Sequence, residues 1–161
     1  MKICNFGGRI NEERCIAHHN GCLYIGNPMQ KHFARSLQTL PAVIDTVSSF
    51  CREHGANGDA VFALSFAVEE IFTNMVKYNP SGPADVTVSM DITQENVRIT
   101  LEDDQDHDFD PTRSPDPDFE DALSKRQPGG LGLYLVRTMV RGVAYERQGT
   151  RNIISLSHPL E

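Results

Sequence analysis

The residues best suited to chemistry in this sequence form three polar clusters, each beside a predicted helix or strand. The first lies in the segment 59–78, DAVFALSFAVEEIFTNMVKY, where Glu70 and Asn74 stand four residues apart and Lys77 follows. Residues four apart share one helix face. A carboxylate and an amide on one face can serve as a general base and a magnesium ligand, although a solvated helix edge would use the same residue types.

The second cluster is the acidic stretch DQDHDFDP at 104–111, which has an aspartate at every second position. Calcium is the first ligand to test, and an EF-hand loop needs glycine at its sixth position and glutamate at its twelfth. A loop that starts at Asp104 has Phe109 and Pro115 at those positions, and a start two residues later fails in the same way. The sequence therefore predicts no calcium loop, and Phe109 inside the run argues against pure disorder.

The third cluster is a glycine-rich turn, GGLG, formed by Gly129, Gly130, Leu131 and Gly132. Glycines before a helix let backbone N–H groups approach a phosphate closely, and the helix N-terminus favours negative charge. An ordinary junction between a loop and a helix would look the same. The sequence has no GxxxxGK[ST] motif, which excludes a P-loop, and no HRD or DFG motif, which excludes a eukaryotic-type protein kinase.

Hydrophobic periodicity assigns the elements that must position these clusters. Alternating residues predict strands and residues spaced by three and four predict helices, with Asp59 as the expected cap of the longest helix. The predicted order is strand 31–38, helices 40–54 and 59–78, a hairpin of strands 84–93 and 96–103, a long polar loop to 128, a helix within 129–142, and a hairpin of strands 143–149 and 151–157. This order predicts an α+β two-layer sandwich in which a mixed sheet is covered on one face by about three helices.

Composition limits the class of protein. The net charge is −7, and residues 102–121 contain ten acidic residues and one basic residue, so nucleic acid is not expected to be a direct partner. No apolar run is long enough to cross a membrane, and the N-terminus does not have a signal-peptide pattern. These features predict a cytoplasmic protein whose four cysteines are free thiols.

The segment 1–28 differs from the rest of the chain and is predicted to be a leader before a single domain at 29–161. It shows no sustained periodicity, and it contains the string CIAHHNGC with Cys15, His18, His19 and Cys22. Cysteine and histidine at these spacings can bind zinc. A metal-dependent regulator is therefore a further hypothesis, although the string does not complete a known zinc pattern.

Together the three clusters resemble one family. The strings AVEEIFTNMVKY, LEDDQDHDFDP, GGLGLYLVRTMV and RNIISL are similar to motifs of the GHKL ATPase domain, which is found in histidine kinases, gyrase, Hsp90 and MutL. Within that group they most resemble bacterial anti-sigma-factor serine kinases of the RsbW and SpoIIAB type. The resemblance covers about residues 31–158 and implies the Bergerat fold.

The resemblance implies roles around a bound nucleoside triphosphate. It gives Glu70 the role of general base and makes Asn74 the residue that holds Mg²⁺ against the phosphates. It places Lys77 beside the phosphates, and the glycines of GGLG close over them. ATP and Mg²⁺ are thus the implied cofactors.

The resemblance also implies an adenine pocket. Alignment on Phe109 and Pro111 makes Asp104 the residue that accepts a hydrogen bond from the adenine amino group, with Phe109 beside it and residues 112–128 as the lid. Ser155 in the last strand would help to bind adenine. Asp106 stands where relatives usually have glycine, and a charged side chain there could repel a nucleotide.

The implied function is that of a partner switch. Such a kinase phosphorylates a serine of an anti-anti-sigma factor of the STAS type and sequesters a sigma factor, and related proteins form homodimers. The alternative is a catalytically impaired binding module on the same fold, which sequesters a regulatory partner without phosphotransfer.

Overall fold

The computed structural model describes residues 28–79, 85–93, 95–105, 109–113 and 131–161. Five strands, three α-helices and two 3₁₀ turns lie within these ranges. In chain order they are β1 (Met29–Phe33), a 3₁₀ turn (Leu37–Thr39), α1 (Leu40–Glu53), α2 (Gly58–Tyr78), β2 (Val86–Thr93), β3 (Asn96–Asp104), a second 3₁₀ turn (Pro111–Arg113), α3 (Leu131–Met139), β4 (Gly142–Gln148) and β5 (Arg151–Pro159).

Helix α2 is the central element of the helical layer. Its side-chain cap is Asn57, which accepts a hydrogen bond from the Ala60 backbone N–H at 2.8 Å. The predicted cap, Asp59, is wrong: it lies inside the first turn, because the chain already enters the helix at Gly58. Apolar residues spaced by three and four along α2 are completely buried, among them Leu64, Ala67, Val68, Ile71, Phe72 and Met75.

The five strands form one sheet in the order β1-β2-β3-β5-β4. All four neighbouring pairs in the described chain are antiparallel, so the prediction of a mixed sheet is wrong. The reason lies in the order of the strands. After β3 the chain passes through α3 and skips one strand position before it forms β4, so β3 and β4 are not neighbours. β5 then folds back between them and pairs antiparallel with both. The α+β two-layer class itself is confirmed.

The helices cover one face of the sheet. Strand residues alternate between the two faces, and the helix side is marked by fully buried apolar residues, such as Val88, Met90, Ile99, Leu101, Ile154 and Leu156. These residues pack with α1 and α2 into a single hydrophobic cluster. Burial of this cluster stabilises the fold through removal of apolar surface from water.

The first strand ends earlier than its alternation predicted. It runs from Met29 to Phe33 instead of 31–38, and Ser36 caps a 3₁₀ turn by accepting a hydrogen bond from the Gln38 N–H at 3.2 Å. Two features of the tail of the predicted strand explain the difference: Arg35 turns its side chain inward to an ion pair, and a serine cap competes with strand pairing.

The remaining predicted elements lie within a few residues of the observed ones. No helix in the described ranges is long and apolar enough to cross a membrane. The cysteine that the structure describes, Cys51, is a free thiol in the core of α1. Burial raises the pKa of the Cys51 thiol to about 11, so the thiol is protonated and unreactive at neutral pH.

Candidate functional site

The first predicted cluster lies along the C-terminal half of α2. Glu70 and Asn74 are both half-buried at the border of the apolar stripe, and Lys77 is exposed one turn later. Their neighbours Ile71 and Met75 are fully buried, which fixes the rotation of the helix about its axis. Packing therefore directs a carboxylate, an amide and an ammonium group along one edge of the helical layer.

The third cluster meets the first at Gly132, in the first turn of α3. A Cβ atom added to Gly132 would lie 2.6 Å from the Glu70 carboxylate carbon and 3.2 Å from Oε1, and it would come closest to Oε2. The Glu70 carboxylate thus lies directly against the backbone of Gly132. The fully buried Val136, one turn further along α3, belongs to the same hydrophobic cluster as α2.

The second cluster reaches the same region through Phe109. Its ring lies 6.2 Å, centroid to centroid, from the ring of Tyr78, the last residue of α2. Pro111 is buried, and its carbonyl accepts a hydrogen bond from Arg137 Nη1 of α3 at 3.2 Å. The acidic stretch is therefore attached to both α2 and α3.

A buried ion pair lies at the end of β3. Arg35 Nη1 is 2.7 Å from Asp103 Oδ2, and the two side chains are 3% and 0% exposed. The same guanidinium donates to the carbonyls of Met75 at 3.3 Å and Asp104 at 3.4 Å. Gln105 Nε2 donates to the other Asp103 oxygen at 3.1 Å, so the carboxylate is bonded on both sides. This network joins the segment after β1, the last turns of α2 and the end of β3.

The two adjacent aspartates of β3 point to opposite faces of the sheet. Asp103 shares the helix side with Leu101, whereas Asp104 Oδ1 accepts a hydrogen bond from the Thr150 hydroxyl at 3.1 Å. Asp104 also lines a polar cleft of about 310 Å³ together with Gln30, His32, Asp85, Thr87, Glu102, Asp103 and Arg151. The role predicted for Asp104 in base recognition stays a prediction, and strand geometry places Asp103 on the side of Glu70.

Ser155 is not brought to the helix side. Its neighbours in β5, Ile154 and Leu156, are fully buried on that side, and alternation turns Ser155 to the opposite face. There its hydroxyl lies 3.3 Å from the hydroxyl of Thr100 on β3. The structure thus separates Ser155 from Glu70 by the thickness of the sheet.

Several predicted residues lie outside the described ranges. They are Asp106, Gly129, Gly130, the cysteines and histidines of the segment 1–28, and all of the predicted lid 112–128 except Thr112 and Arg113. Within the described ranges, no group of three or more histidine, cysteine, aspartate or glutamate side chains could hold a metal ion. Leu131 is described, and it is 46% exposed at the start of α3.

The sequence analysis did not predict the Arg35–Asp103 pair, although the alternation in β3 indicated which way Asp103 faces. Val97, Ile99 and Leu101 predicted the inward face of β3, and Asp103 continues the same alternation. The alignment on Phe109 instead selected the next residue, Asp104, for recognition of adenine. Arg35 gave no local signal, since its partner is 68 residues away in the chain.

Most of the chain matches the sequence profile of a known domain family. The sequence profile described as the histidine kinase-like ATPase domain matches residues 33–158, which include every described residue of the three clusters. The chain is 29% identical over 98 residues to the serine/threonine-protein kinase BtrW of Bordetella bronchiseptica, and the match spans 60% of this chain and 68% of BtrW.

Two solved structures have a similar fold. One contains the RsbU and RsbW domains of Rv1364c from Mycobacterium tuberculosis, with a TM-score of 0.60, 14% identity and coverage of 83% of this chain. This chain spans 32% of that longer protein chain. The other is the SiaB–SiaC complex from Pseudomonas aeruginosa, with a TM-score of 0.54, 12% identity and coverage of 81% of this chain and 88% of that one. The resemblance predicted from the motifs is confirmed: the chain belongs to the histidine kinase-like ATPase domain family.

Proposed function

We propose that this protein is an ATP-dependent serine kinase that acts as a partner switch on an anti-sigma pathway. Its phosphoacceptor would be a serine of an anti-anti-sigma factor of the STAS type, and its competing ligand would be a sigma factor. The kinase name of BtrW, the RsbW domain in one structural neighbour and the SiaB–SiaC complex in the other support this class of function. By the same analogy the working form would be a homodimer.

The observation behind the proposal is the convergence of the three clusters on α2. Glu70 would accept the proton of the serine hydroxyl, and Asn74 would hold Mg²⁺ through its amide oxygen. Lys77 and the backbone of the glycine-rich turn would neutralise phosphate charge. These donors fit Mg·ATP in type: an amide oxygen, an exposed ammonium and a glycine backbone at a helix N-terminus. Bound Mg·ATP would supply the phosphoryl group.

The role of Glu70 can be tested with an isosteric change. Glu70→Gln keeps the shape of the side chain but removes the base, so we expect ATP affinity to stay within about threefold while phosphotransfer falls by about 100-fold or more. The measurement is transfer of labelled phosphate from ATP to a panel of STAS-domain proteins. Glu69→Gln is the matched control, since Glu69 is an exposed neighbour on the same helix. Undiminished transfer by Glu70→Gln would remove Glu70 from its role.

One observation favours a second function, that of a binding module without phosphotransfer. The inward-facing carboxylate of Asp103 is already bonded to Arg35 and Gln105, so neither oxygen is free of protein donors. Asp106 also stands where relatives usually have glycine. A protein of this kind would sequester its partner in the absence of nucleotide.

Calorimetric titration with Mg·ATP separates the two functions. Binding by the wild-type protein supports the kinase. Binding only by Asp106→Gly supports a module whose nucleotide pocket has been closed by that aspartate. If neither protein binds ATP, the kinase proposal is wrong.

A further inference from the structure

Gly132 is a glycine whose presence the backbone does not explain. It lies in the first turn of α3, and its φ angle is outside the left-handed region that favours glycine. By contrast, Gly55 and Gly149 have φ angles of +83° and +65°, which side chains rarely adopt. Glycine within a helix is less favourable than alanine by about 1 kcal/mol. The reason for glycine at position 132 must therefore be sought in what surrounds it.

The space that a side chain would need at position 132 is filled by the carboxylate of Glu70. An alanine Cβ would lie 2.6 Å from the carboxylate carbon, well inside van der Waals contact. Two glycines provide a comparison: nothing lies within 4 Å of a Cβ added to Gly58, and the atom nearest to one added to Gly142 is the Ser157 hydroxyl oxygen. Gly132 is thus the described glycine that meets an ionisable side chain.

The contact also lies at the N-terminal end of a helix. The N-terminus of a helix has partial positive charge and backbone N–H groups without helical partners, so a carboxylate beside it is stabilised. The contact restricts where the Glu70 side chain can lie, since the head group rests against backbone that cannot change rotamer. A long flexible side chain loses conformational freedom in this way before any substrate arrives.

We propose that Gly132 is a positioning residue for Glu70, in addition to any contact that it makes with phosphate. The missing side chain at 132 creates the space in which the Glu70 carboxylate is held between α2 and α3. This inference rests on the proposed kinase function for its catalytic consequence. The contact itself is a structural statement that stands without it.

A double-mutant cycle tests the contact without any nucleotide. Gly132→Ala should raise the unfolding midpoint less in the wild-type background than in a Glu70→Ala background, because only in the former must the methyl group displace the Glu70 carboxylate. In the Glu70→Ala background the change should raise the midpoint, since alanine favours the helix. Gly58→Ala is the matched control and should not destabilise the protein in either background. Equal effects of Gly132→Ala in the two backgrounds would overturn the proposal.

The catalytic consequence is tested by kcat and KM for phosphotransfer. We expect Gly132→Ala to lower kcat by about 10- to 100-fold through misplacement of the base, in addition to any change in the ATP dissociation constant, which is measured separately because Gly132 belongs to the glycine-rich turn. Glu70→Asp, which shortens the side chain, should recover part of kcat in the Gly132→Ala protein. An unchanged kcat, or a loss confined to ATP affinity, would overturn the positioning role.

The two proposals fail in different ways. If the wild-type protein neither binds ATP nor transfers phosphate, the kinase function fails, and the unfolding cycle still decides whether Gly132 holds Glu70. If the wild-type protein is an active kinase and the cycle is additive, the positioning role fails and the kinase function stands.

Discussion

At the scale of residues, the buried Arg35–Asp103 ion pair is the feature that places the strictest requirements on its surroundings. Two charges lie almost completely out of water, which is unfavourable unless each is neutralised and hydrogen-bonded. Both conditions are met here, since Arg35 also reaches two carbonyls and Asp103 also accepts from Gln105. We therefore expect the pair to fix the arrangement of the segment after β1, α2 and β3, and to add little net stability.

Breaking this pair from one side should be strongly destabilising. Asp103→Asn leaves the Arg35 charge buried without its carboxylate, and we expect a loss of about 3–5 kcal/mol in the free energy of unfolding by denaturant titration. Arg151→Met is the control, because the Arg151–Glu102 pair is longer, at 3.6 Å, and its side chains are 53% and 25% exposed. That change should cost less than about 1 kcal/mol. Similar losses of unfolding free energy in the two variants would show that the buried Arg35–Asp103 pair matters no more for stability than the more exposed Arg151–Glu102 pair.

Asp91 offers a test of pH dependence. It is 7% exposed, Oδ2 has no hydrogen-bond partner among the described residues, and burial raises its pKa even though the Ile92 N–H and Arg98 act in the opposite direction. A raised pKa in the folded state means that the contribution of Asp91 to stability is complete below about pH 4 and is lost as pH rises. Asp91→Asn should therefore raise the unfolding midpoint more at neutral pH than at acid pH.

The control for this pH test is Asp85→Asn, which removes the same charge from an exposed position just before β2. Thermal melts of both variants at the two pH values supply the comparison. An Asp91→Asn effect that is the same at both values, or that Asp85→Asn reproduces, would show that burial of the charge is not its cause.

At the scale of elements, α2 is the part of the site that the sequence predicted best. The spacing of Leu64, Val68, Ile71 and Met75 fixed its buried face, and so the edge on which Glu70 and Asn74 lie. Its cap was predicted two residues late because both Asn57 and Asp59 are good capping types, and only backbone geometry distinguishes them. Contacts between distant segments, such as Gly132 with Glu70, have no local pattern and could not be predicted.

The cap of α2 can be tested directly. Asn57→Ala removes the acceptor for the Ala60 N–H, and we expect the free energy of unfolding to fall by about 1 kcal/mol. Asp59→Ala should have a smaller effect, since Asp59 is exposed and contributes through its charge in the first turn. Chemical denaturation of both variants measures the difference. A larger loss for Asp59→Ala would restore it as the cap.

At the scale of the whole molecule, the described hydrophobic core is built from residues between Val43 and Leu156, with Phe33 and Leu160 packed at its margins. The family match begins at residue 33. We therefore propose that the folded domain occupies 29–161.

Removal of the segment 1–27 should therefore leave the fold intact. We expect a chain that starts at Pro28 to have an unfolding midpoint within about 2 °C of the full chain. Metal analysis of the two purified chains tests the zinc hypothesis in the same experiment. Zinc near one per chain in the full protein and none in the shorter one would support a metal site, and a large fall in the midpoint would show that the leader is part of the domain.

The position of β5 between β3 and β4 affects which connections of this chain can change in length. The sheet contains β1 and two local hairpins, β2–β3 and β4–β5, which meet through the β3–β5 pairing. The chain between Arg113 and Leu131 connects these hairpins, and the entropy of closing such a connection grows only with the logarithm of its length, about 0.6 kcal/mol for each doubling. We therefore expect changes in the length of this segment to cost little stability.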